Sequence, residues 1–424
     1  MDELTARLLT SLDGLALLAA LPRYQESMAL RLGEELRRAG HEPGLVAAVL
    51  TQSRLRERAR AKLGEFAAGM LFTPDGLEQC TRLVLAARHA HRFRAAGIGH
   101  VLDLGCGLGS DAMALSSLDV AVTAVEADPA TAILAAHNLR HFPRTRVLAA
   151  RAQDLDIRGG ADARCGELGA WLDPARRHLR QTDPTGRSRR VFSLEELSPP
   201  WSFVTAVAKR IPATGAKLGP TFPAAALPAG CQAQWTSLAG EVLECTVWWG
   251  PLVSTPGRSA TVIRAGHDVT LAETDASHHG HPAGRRPSPG SYLYDPDRAL
   301  LAADLLGVLM AAVDGVELAT GVGYVVADRA VDVGYATRYR LVEALPLRTT
   351  TIRAWLRARA VGRLTVKKRG IRLDPDAFRS ALRLDGRGPE ATVVLTRAGT
   401  SSVCLVVERD IVERDIVERD APRG

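Results

Sequence analysis

The sequence predicts an α/β protein in which a doubly wound, largely parallel sheet follows a helical region and precedes small α+β domains. Apolar residues recur every three or four positions up to about Arg94, which is the spacing of amphipathic helices. From His100 onward, short apolar runs such as VLDLG, VAVTAVEAD and RVLAA each precede a helical stretch, and this alternation is typical of parallel sheets. A chain of 424 residues is also too long for one ordinary core.

Changes in composition along the chain predict the domain boundaries. We expect a helical N-terminal region at 1–95, the sheet domain at 96–272, a linker rich in Gly, Pro, Ser and His at 273–290, a small ferredoxin-like α+β domain at 291–335, a basic domain at 336–410 and a low-complexity tail at 411–424. Within the sheet domain, 234–252 reads as two strands around Ala239 and Gly240, which predicts an antiparallel edge hairpin. The tail repeats VERDI with a period of five, which does not stack on a helical face, so we expect it to be solvated.

The composition excludes several classes of protein. With 46% hydrophobic and 24% charged residues, the chain is not expected to be collagen-like, largely disordered or membrane-embedded. No apolar run approaches the roughly 20 residues that cross a bilayer. Six cysteines without a CxxC pair predict neither a disulfide framework nor a zinc knuckle. The acidic residues near the N-terminus do not fit a signal peptide, so we expect a cytoplasmic protein with no metal and no membrane partner.

A glycine loop after the first predicted strand is the most informative stretch. Gly105, Gly107 and Gly109 follow the apolar run VLDL and open a helix. Glycine is required where the backbone approaches a ligand closely, and the N-terminus of a helix favours a carboxylate or a phosphate. A dinucleotide-binding fingerprint would have glycine at the position of Ser110, so NAD is the weaker interpretation.

An acid after the second predicted strand fits the same kind of ligand. Glu126 stands twenty-one residues beyond Gly105, where a carboxylate can hold both ribose hydroxyls of a nucleoside. Together, DLGCGLG and TAVEADP resemble motifs I and II of the class I S-adenosylmethionine-dependent methyltransferases. The resemblance implies a Rossmann-like sheet and S-adenosylmethionine as the cofactor. The alternative is a glycine turn that only packs a strand on a helix.

The resemblance also implies roles for individual residues. The glycine loop would pass the methionine part of the cofactor, Asp103 would help to hold its amino group, and Glu126 would bind its ribose. The family places a polar residue near the adenine, after the third strand. Asp154 is the candidate here, with Arg151 and Gln153 as open alternatives.

The fourth predicted strand ends at a candidate acceptor site. Asp173 and Pro174 begin seventy residues after Asp103, and ligands of open α/β sheets bind at the carboxyl ends of strands. The pair resembles the [DN]PP[YF] motif of nucleic-acid and protein amine methyltransferases, whose side-chain oxygen and proline carbonyl accept hydrogen bonds from the target amine. Ala175 and Arg176 replace the second proline and the aromatic residue, so Arg176 is expected to contact a phosphate or the edge of the substrate. The alternative is a turn in which Asp173 caps the next helix.

Two aromatic residues are further candidates for the substrate side of the site. The run SPPW at 198–201 resembles the form of the same motif found in cap-type guanosine methyltransferases. It follows a poor strand and reads better as the start of a helix, which leaves Trp201 as a candidate stacking platform. Phe72, Thr73 and Gln79 lie in FTPDGLEQ, at a place that often covers the cofactor in class I methyltransferases, and are candidates for lining the site, although helix capping and core packing would explain them nearly as well.

The C-terminal part of the chain is strongly basic. Between 338 and 384, thirteen Arg and Lys residues stand against three acids. Arg363, Lys367, Lys368 and Arg369 lie in GRLTVKKRG and are expected to contact phosphates of a nucleic acid; an ordinary solvated surface is the alternative. The order of the segments across most of residues 1–407 resembles the bacterial methyltransferases with a THUMP-like C-terminal domain, which implies an RNA substrate.

These observations predict a methyltransferase that uses S-adenosylmethionine to methylate RNA, tRNA or rRNA, at a base nitrogen. Two alternatives remain open. The departure from the [DN]PP[YF] motif would also fit an RNA-binding protein that has kept the fold and lost methyl transfer. A small-molecule methyltransferase with an incidental basic domain would carry the same cofactor motifs.

Overall fold

The computed structural model of the protein describes residues 1–156, 168–176, 193–264, 267–276 and 287–410. The chain divides into two compact units, one formed by Met1–Leu218 and Val247–Ser254 and the other by Gly219–Thr246 and Thr255–Arg423. This division falls inside the predicted sheet domain 96–272. The predicted linker 273–290 lies partly, and the predicted tail 411–424 wholly, outside the described residues. Within the described part of the chain, no helix combines the length and apolarity that a membrane span requires.

Six α-helices precede the sheet of the first unit. They are α1 (Glu3–Thr10), α2 (Leu12–Ala20), α3 (Glu26–Arg38), α4 (Pro43–Leu63), α5 (Pro74–Gln79) and α6 (Leu83–Ala95). Short polar side chains cap several of them, because the first backbone N–H groups of a helix have no partner within it. The Thr5 N–H donates to the Asp2 carboxylate at 2.8 Å, and the Gly76 N–H donates to the Thr73 hydroxyl at 3.0 Å.

The first unit contains a parallel sheet whose strand order creates a binding crevice. Its strands are β1 (His100–Leu104), β2 (Ala121–Glu126), β3 (Thr145–Ala149), β4 (Leu168–Leu172) and β7 (Ala213–Leu218), with a short β5 (Ala175–Arg176) and β6 (Leu197–Ser198) between the last two; the helices are α7 (Ser110–Ser116), α8 (Pro129–Asn138) and α9 (Trp201–Arg210). The order β7-β4-β1-β2-β3 confirms the predicted Rossmann-like, doubly wound sheet. The direction of winding reverses between β1 and β4, so a ligand is expected at their carboxyl ends.

Aromatic rings form the tightest part of the core of the first unit. The Trp171 ring centroid lies 4.4 Å from that of His89 and 5.5 Å from that of Trp248, and both indoles are buried. Gly215 on β7 allows this packing. A Cβ atom at position 215 would lie 2.6 Å from the Trp248 ring and 2.9 Å from the Trp171 ring.

Gly215→Ala is therefore expected to lower the free energy of unfolding by about 1–3 kcal/mol, the usual cost of overpacking a core. Gly99→Ala is the matched control, because nothing lies within 4 Å of the added methyl group there, and its effect is expected within about 0.5 kcal/mol. Urea unfolding of both variants measures the difference. Equal stability of the two would contradict the packing argument.

The second unit begins with strands that follow the parallel sheet in sequence. They are β8 (Gln232–Leu238), β9 (Glu241–Trp248), β10 (Gly257–Arg264) and β11 (His267–Ala272), and β9 ends within the first unit. The predicted hairpin around Ala239 and Gly240 is present as β8 and β9, but its edge position is wrong. β10 pairs in parallel with β8, and β11 pairs antiparallel with β10. The sequence pattern could not reveal that β8 has a second neighbour. Strands that pair in parallel are not joined by a tight turn, so no turn residues mark the pairing of β10 with β8.

The rest of the second unit is one seven-stranded sheet. Its strands are β12 (Tyr292–Pro296), β13 (Val316–Glu317), β14 (Val325–Ala327), β15 (Ala336–Pro346), β16 (Arg363–Lys368), β17 (Glu390–Ala398) and β18 (Ser401–Arg409), with helices α10 (Arg298–Ala302), α11 (Leu306–Val313), α12 (Thr349–Ala358) and α13 (Pro375–Leu382). The strand order is β13-β14-β12-β15-β18-β17-β16. The predicted domains 291–335 and 336–410 therefore share a sheet, since β12 pairs antiparallel with β15. All the pairs with a described register are antiparallel except β16 with β17.

Candidate active site

A cavity of about 750 Å³ opens at the carboxyl ends of the strands of the first unit. Residues that the sequence singled out line it, among them Asp103, Gly105, Gly107, Glu126, Asp173 and Pro174. The cavity has the size of a small-molecule site. Its position matches the crevice that the reversal of strand order creates between β1 and β4.

The glycine loop adopts a conformation that favours glycine at each of its three positions. Gly105, Gly107 and Gly109 have φ values of 100°, 54° and 86°, in the left-handed region where a side chain is strained. The Gly105 N–H donates to the Val125 carbonyl at 2.9 Å, which fixes the loop to the end of β2. Gly109 starts α7, and a Cβ atom there would press on Leu139 at 3.0 Å. Gly105 and Gly107 line the cavity, so their role is the close approach of the backbone.

Asp103 is a buried carboxyl group that faces the cavity without a partner. Its residue is 1% exposed, and neither carboxylate oxygen has a hydrogen-bond partner among the described residues. Burial, reinforced by the charges of Asp111 and Asp173, raises the pKa of Asp103 well above its usual value. An unpaired buried carboxyl group is costly, so a cationic donor in the cavity fits this position.

Glu126 is held at the rim of the same cavity by backbone donors. Its Oε2 accepts the Gly107 N–H at 3.0 Å, and its Oε1 accepts the Asp128 N–H at 2.9 Å. These bonds orient the carboxylate at the end of β2. Asp154 is exposed and does not line the cavity, whereas Arg151 and Gln153 do. Of the three candidates for the adenine side, Arg151 and Gln153 therefore lie at the cavity and Asp154 does not.

The candidate acceptor residues lie on the side of the cavity formed by the end of β4. Asp173 Oδ2 lies 2.6 Å from Nζ of Lys217 on β7. Pro174 lines the cavity, together with Ser198 and Pro199. β5 pairs antiparallel with β6, and this pairing places the two stretches that resemble the [DN]PP[YF] motif, at 173–176 and 198–201, next to each other. Arg176 pairs with the Leu197 backbone in this short ladder.

Lys217 connects Asp173 to a polar network that the sequence analysis missed. Lys217 Nζ donates to the Thr81 hydroxyl at 2.9 Å, and that hydroxyl donates to Asp111 Oδ2 at 2.6 Å. His89 Nδ1 lies 2.8 Å from Asp111 Oδ1. Although burial alone would raise it, the hydrogen bond and the charge of His89 lower the pKa of Asp111. The signal in the sequence is the single lysine in the otherwise apolar strand run TGAKL.

The two aromatic candidates do not line the cavity. Phe72 is fully buried in the core, and its carbonyl accepts a hydrogen bond from Gln52 Nε2 at 2.6 Å. Its neighbour Thr73 lines the cavity instead. Trp201 begins α9, and its ring centroid lies 5.7 Å from that of Trp249. One side of the indole is therefore packed against protein.

The four predicted phosphate-binding cations of β16 and its turn differ in their surroundings. Lys367 and Arg369 both pair with Asp295 of β12, at 2.9 and 2.8 Å. Lys367 also lies over the ring of Tyr339 on β15, and Arg369 over the ring of Tyr324, the residue before β14. The one carboxylate offsets only part of their combined charge, but both side chains are held by these contacts, so the expectation that they contact phosphate is weakened. Arg363 and Lys368 are exposed and stay candidates for that role.

Two family models match parts of the chain. The model described as THUMP domain-like matches residues 336–409. A model for a domain of unknown function matches residues 2–59. The first match covers β15 to β18 of the seven-stranded sheet, and the second covers α1 to α3 and most of α4.

Relatives with names and solved structures are similar over nearly the whole chain. An uncharacterised S-adenosylmethionine-dependent methyltransferase of Mycobacterium tuberculosis, found in strains H37Rv and CDC 1551, is 29% identical over 364 residues, 82% of this chain and 92% of the relative. The crystal structure of a candidate methyltransferase of Porphyromonas gingivalis W83 superposes with a TM-score of 0.68 at 19% identity. It covers 92% of this chain and 100% of that protein, which supports the same fold.

Proposed function

We propose that this chain, an S-adenosylmethionine-dependent methyltransferase with a THUMP-like C-terminal domain, methylates an RNA base at a nitrogen atom. The observation that carries the proposal is the unpartnered Asp103 carboxyl group beside Asp173 in one cavity. The first group suits the cofactor and the second suits an amine acceptor. The THUMP-like match and the basic composition of 338–384 favour RNA as the molecule that presents the amine.

The residues of the cavity fit S-adenosylmethionine. Asp103 would accept hydrogen bonds from the amino group of the cofactor, and Glu126 would bind its ribose. The backbone at Gly105 and Gly107, which carries no side chains, would lie against its methionine part. The bound cofactor supplies an electrophilic methyl group. Since a charge-assisted hydrogen bond is about twice as strong as a neutral one, the buried Asp103 is the main anchor.

Asp173 and Pro174 would position the acceptor nitrogen. The Asp173 carboxylate and the Pro174 carbonyl each accept a hydrogen bond from the amine, which directs its lone pair into the cavity. Lys217 Nζ lies 2.6 Å from Asp173 Oδ2, and this ion pair would hold the carboxylate in place at the end of β4. The Asp173 carboxylate would also accept the proton that the nitrogen loses after methyl transfer. Positioning of this kind can contribute several kcal/mol to barrier reduction.

The proposal is tested by incubating the protein with methyl-labelled cofactor and total RNA from cells that lack the protein. We expect label in RNA, S-adenosylhomocysteine in equal amount and a methylated base nitrogen after nuclease digestion. RNA binding without S-adenosylhomocysteine would instead identify a binding protein that has lost transfer. Label in a small molecule, with none in RNA, would identify a small-molecule methyltransferase. Either result would refute the proposal.

Cofactor binding is expected to depend on pH through Asp103. Because the pKa of Asp103 is raised in the free protein, binding a cationic amino group must first release the proton of this carboxyl group. Affinity should therefore rise with pH, by up to tenfold per unit below the raised pKa, and level off above it. Calorimetry in buffers of different ionisation heat measures the proton release. Asp103→Asn should abolish it; release that persists in this variant would assign the proton to another group.

A further inference from the structure

A second cavity lies in the helical part of the first unit and has no role in the chemistry described above. It has a volume of about 500 Å³ and is bounded by α2, the chain at 21–24, α4, the 3-10 helix at Gly64–Gly69 and the end of α8. One wall is apolar, with Leu15, Leu18 and Leu21. The lining also includes four arginines, at positions 23, 56, 60 and 140, and a single carboxylate, that of Glu57.

Two of these arginines have no carboxylate partner within the described residues. Arg56 Nε donates to the Met70 carbonyl at 2.8 Å, and Arg140 Nη1 donates to the His137 carbonyl at 2.7 Å. Neither forms an ion pair with any described residue, although Arg56 is half-buried. The carboxylate, Glu57, is already engaged by the other two arginines. The cavity thus holds an uncompensated positive charge.

The titration properties of the cluster agree with this geometry. Burial, with a further contribution from the charge of Arg140, lowers the pKa of Arg56 to about 10. Burial and the same two arginines lower the pKa of His137 to about 4, so its ring is neutral at pH 7. Tyr24 also lines the cavity, and its hydroxyl donates to Glu26 at 2.6 Å. An anion bound between Arg56 and Arg140 would supply the missing negative charge.

This cavity is linked to the candidate active site through one helix and one segment. α8 begins next to Asp128, a residue of the active-site cavity, and ends next to Arg140, about 15 Å away along the helix axis. The Asn138 side chain binds both the Leu71 backbone and the Leu108 carbonyl of the glycine loop. A ligand in the second cavity therefore lies in the same unit as the acceptor site.

We propose that the second cavity binds a phosphate group of the RNA substrate, with Arg56 and Arg140 as its ligands and the adjoining apolar wall against the attached nucleoside. Arginine presents paired N–H groups that match phosphate oxygens. This inference rests on the proposed RNA substrate. It places an RNA contact in the N-terminal helical region, in addition to any contact that the THUMP-like domain makes. A free nucleotide offers the same chemistry, and the test below separates the two sources.

The test measures binding of a fluorescein-labelled 20-nucleotide single-stranded RNA across a range of salt concentrations. Arg56→Met and Arg140→Met are compared with Arg58→Met and Arg144→Met, which remove the same charge outside the cavity. We expect the first pair to weaken binding at least fivefold each and to reduce the slope of log affinity against log salt by about 0.7 for each lost phosphate contact. The control pair should change both quantities much less.

Further measurements make the result decisive. Arg56→Lys keeps the charge and should restore most of the affinity, and unchanged thermal unfolding and cofactor binding exclude a folding defect. If the wild-type protein binds and methylates RNA while the cavity variants bind it equally well, the inference fails and the proposed function stands. If the wild-type protein binds no RNA, the proposed function fails. If AMP binds the wild type and not the variants while RNA affinity stays constant, the assignment to RNA is overturned.

Discussion

Asp173→Ala is expected to reduce the rate of methyl transfer to RNA by about 100-fold, because the acceptor nitrogen loses the hydrogen bond that orients it. Binding of S-adenosylmethionine should change less than about twofold, since the proposed anchor of the cofactor is Asp103 and not Asp173. Asp173→Asn keeps a carbonyl oxygen in place and should retain more activity than the alanine variant. Single-turnover transfer of a labelled methyl group, with the enzyme in excess over RNA, measures the chemical step directly.

The alanine variant leaves Lys217 without its carboxylate at 2.6 Å, and this side chain is only 14% exposed. Removal of one member of a buried pair destabilises a protein, so Lys217→Met is added to restore stability in the Asp173→Ala background. The double variant should regain thermal stability and not activity. Asp75→Ala, at an exposed position on the rim of the same cavity, is the control for an unspecific loss of charge. Transfer at more than half of the wild-type rate in Asp173→Ala would remove Asp173 from the acceptor site.

Asp103→Asn is expected to weaken S-adenosylmethionine binding by about 10- to 100-fold. This is the loss of a hydrogen bond between charged groups, worth about 1.5–3 kcal/mol. The same change should raise the stability of the cofactor-free protein at pH 7. The folded-state pKa of Asp103 is raised, so its burial costs stability as the pH rises above the unfolded-state value, and asparagine lacks this cost. The variant should therefore be more stable and bind less cofactor.

Calorimetry and thermal unfolding of Asp103→Asn test these two expectations together. Asp75→Asn makes the same chemical change at an exposed position of the cavity rim and should alter affinity less than about twofold. Loss of affinity together with loss of stability would point to a structural role for Asp103. Unchanged affinity would mean that the cofactor amino group is held elsewhere.

The meeting of the proposed cofactor residues at one cavity could be predicted from the sequence, because these residues are consecutive or follow directly from strand ends. Asp103, the glycine loop and Glu126 each stand at the end of an apolar run, and parallel strands bring such ends together. Asp173 was predictable for the same reason. The position of Phe72 was not, because a run of buried residues such as LF does not show which neighbour faces a cavity; here Thr73 does.

Contacts between distant segments were the part that sequence could not supply. The count of charges within 338–384 assigned Lys367 and Arg369 to phosphate binding. This count could not include Asp295, which pairs with both side chains but lies 72 and 74 residues earlier in the chain. Lys217 and Thr81 are 136 residues apart and meet only when β7 joins the sheet. Pairing of this kind depends on the tertiary fold and carries no local pattern.

The pairing of β12 with β15 limits how the C-terminal region can be cut. The family match starts at residue 336, the first residue of β15. A fragment that begins there would lack β12 and would expose the backbone groups of β15 that pair with it. Exposed sheet edges of this kind promote self-association. An expression fragment for binding studies should therefore begin before β12, near residue 287, so that this edge stays covered.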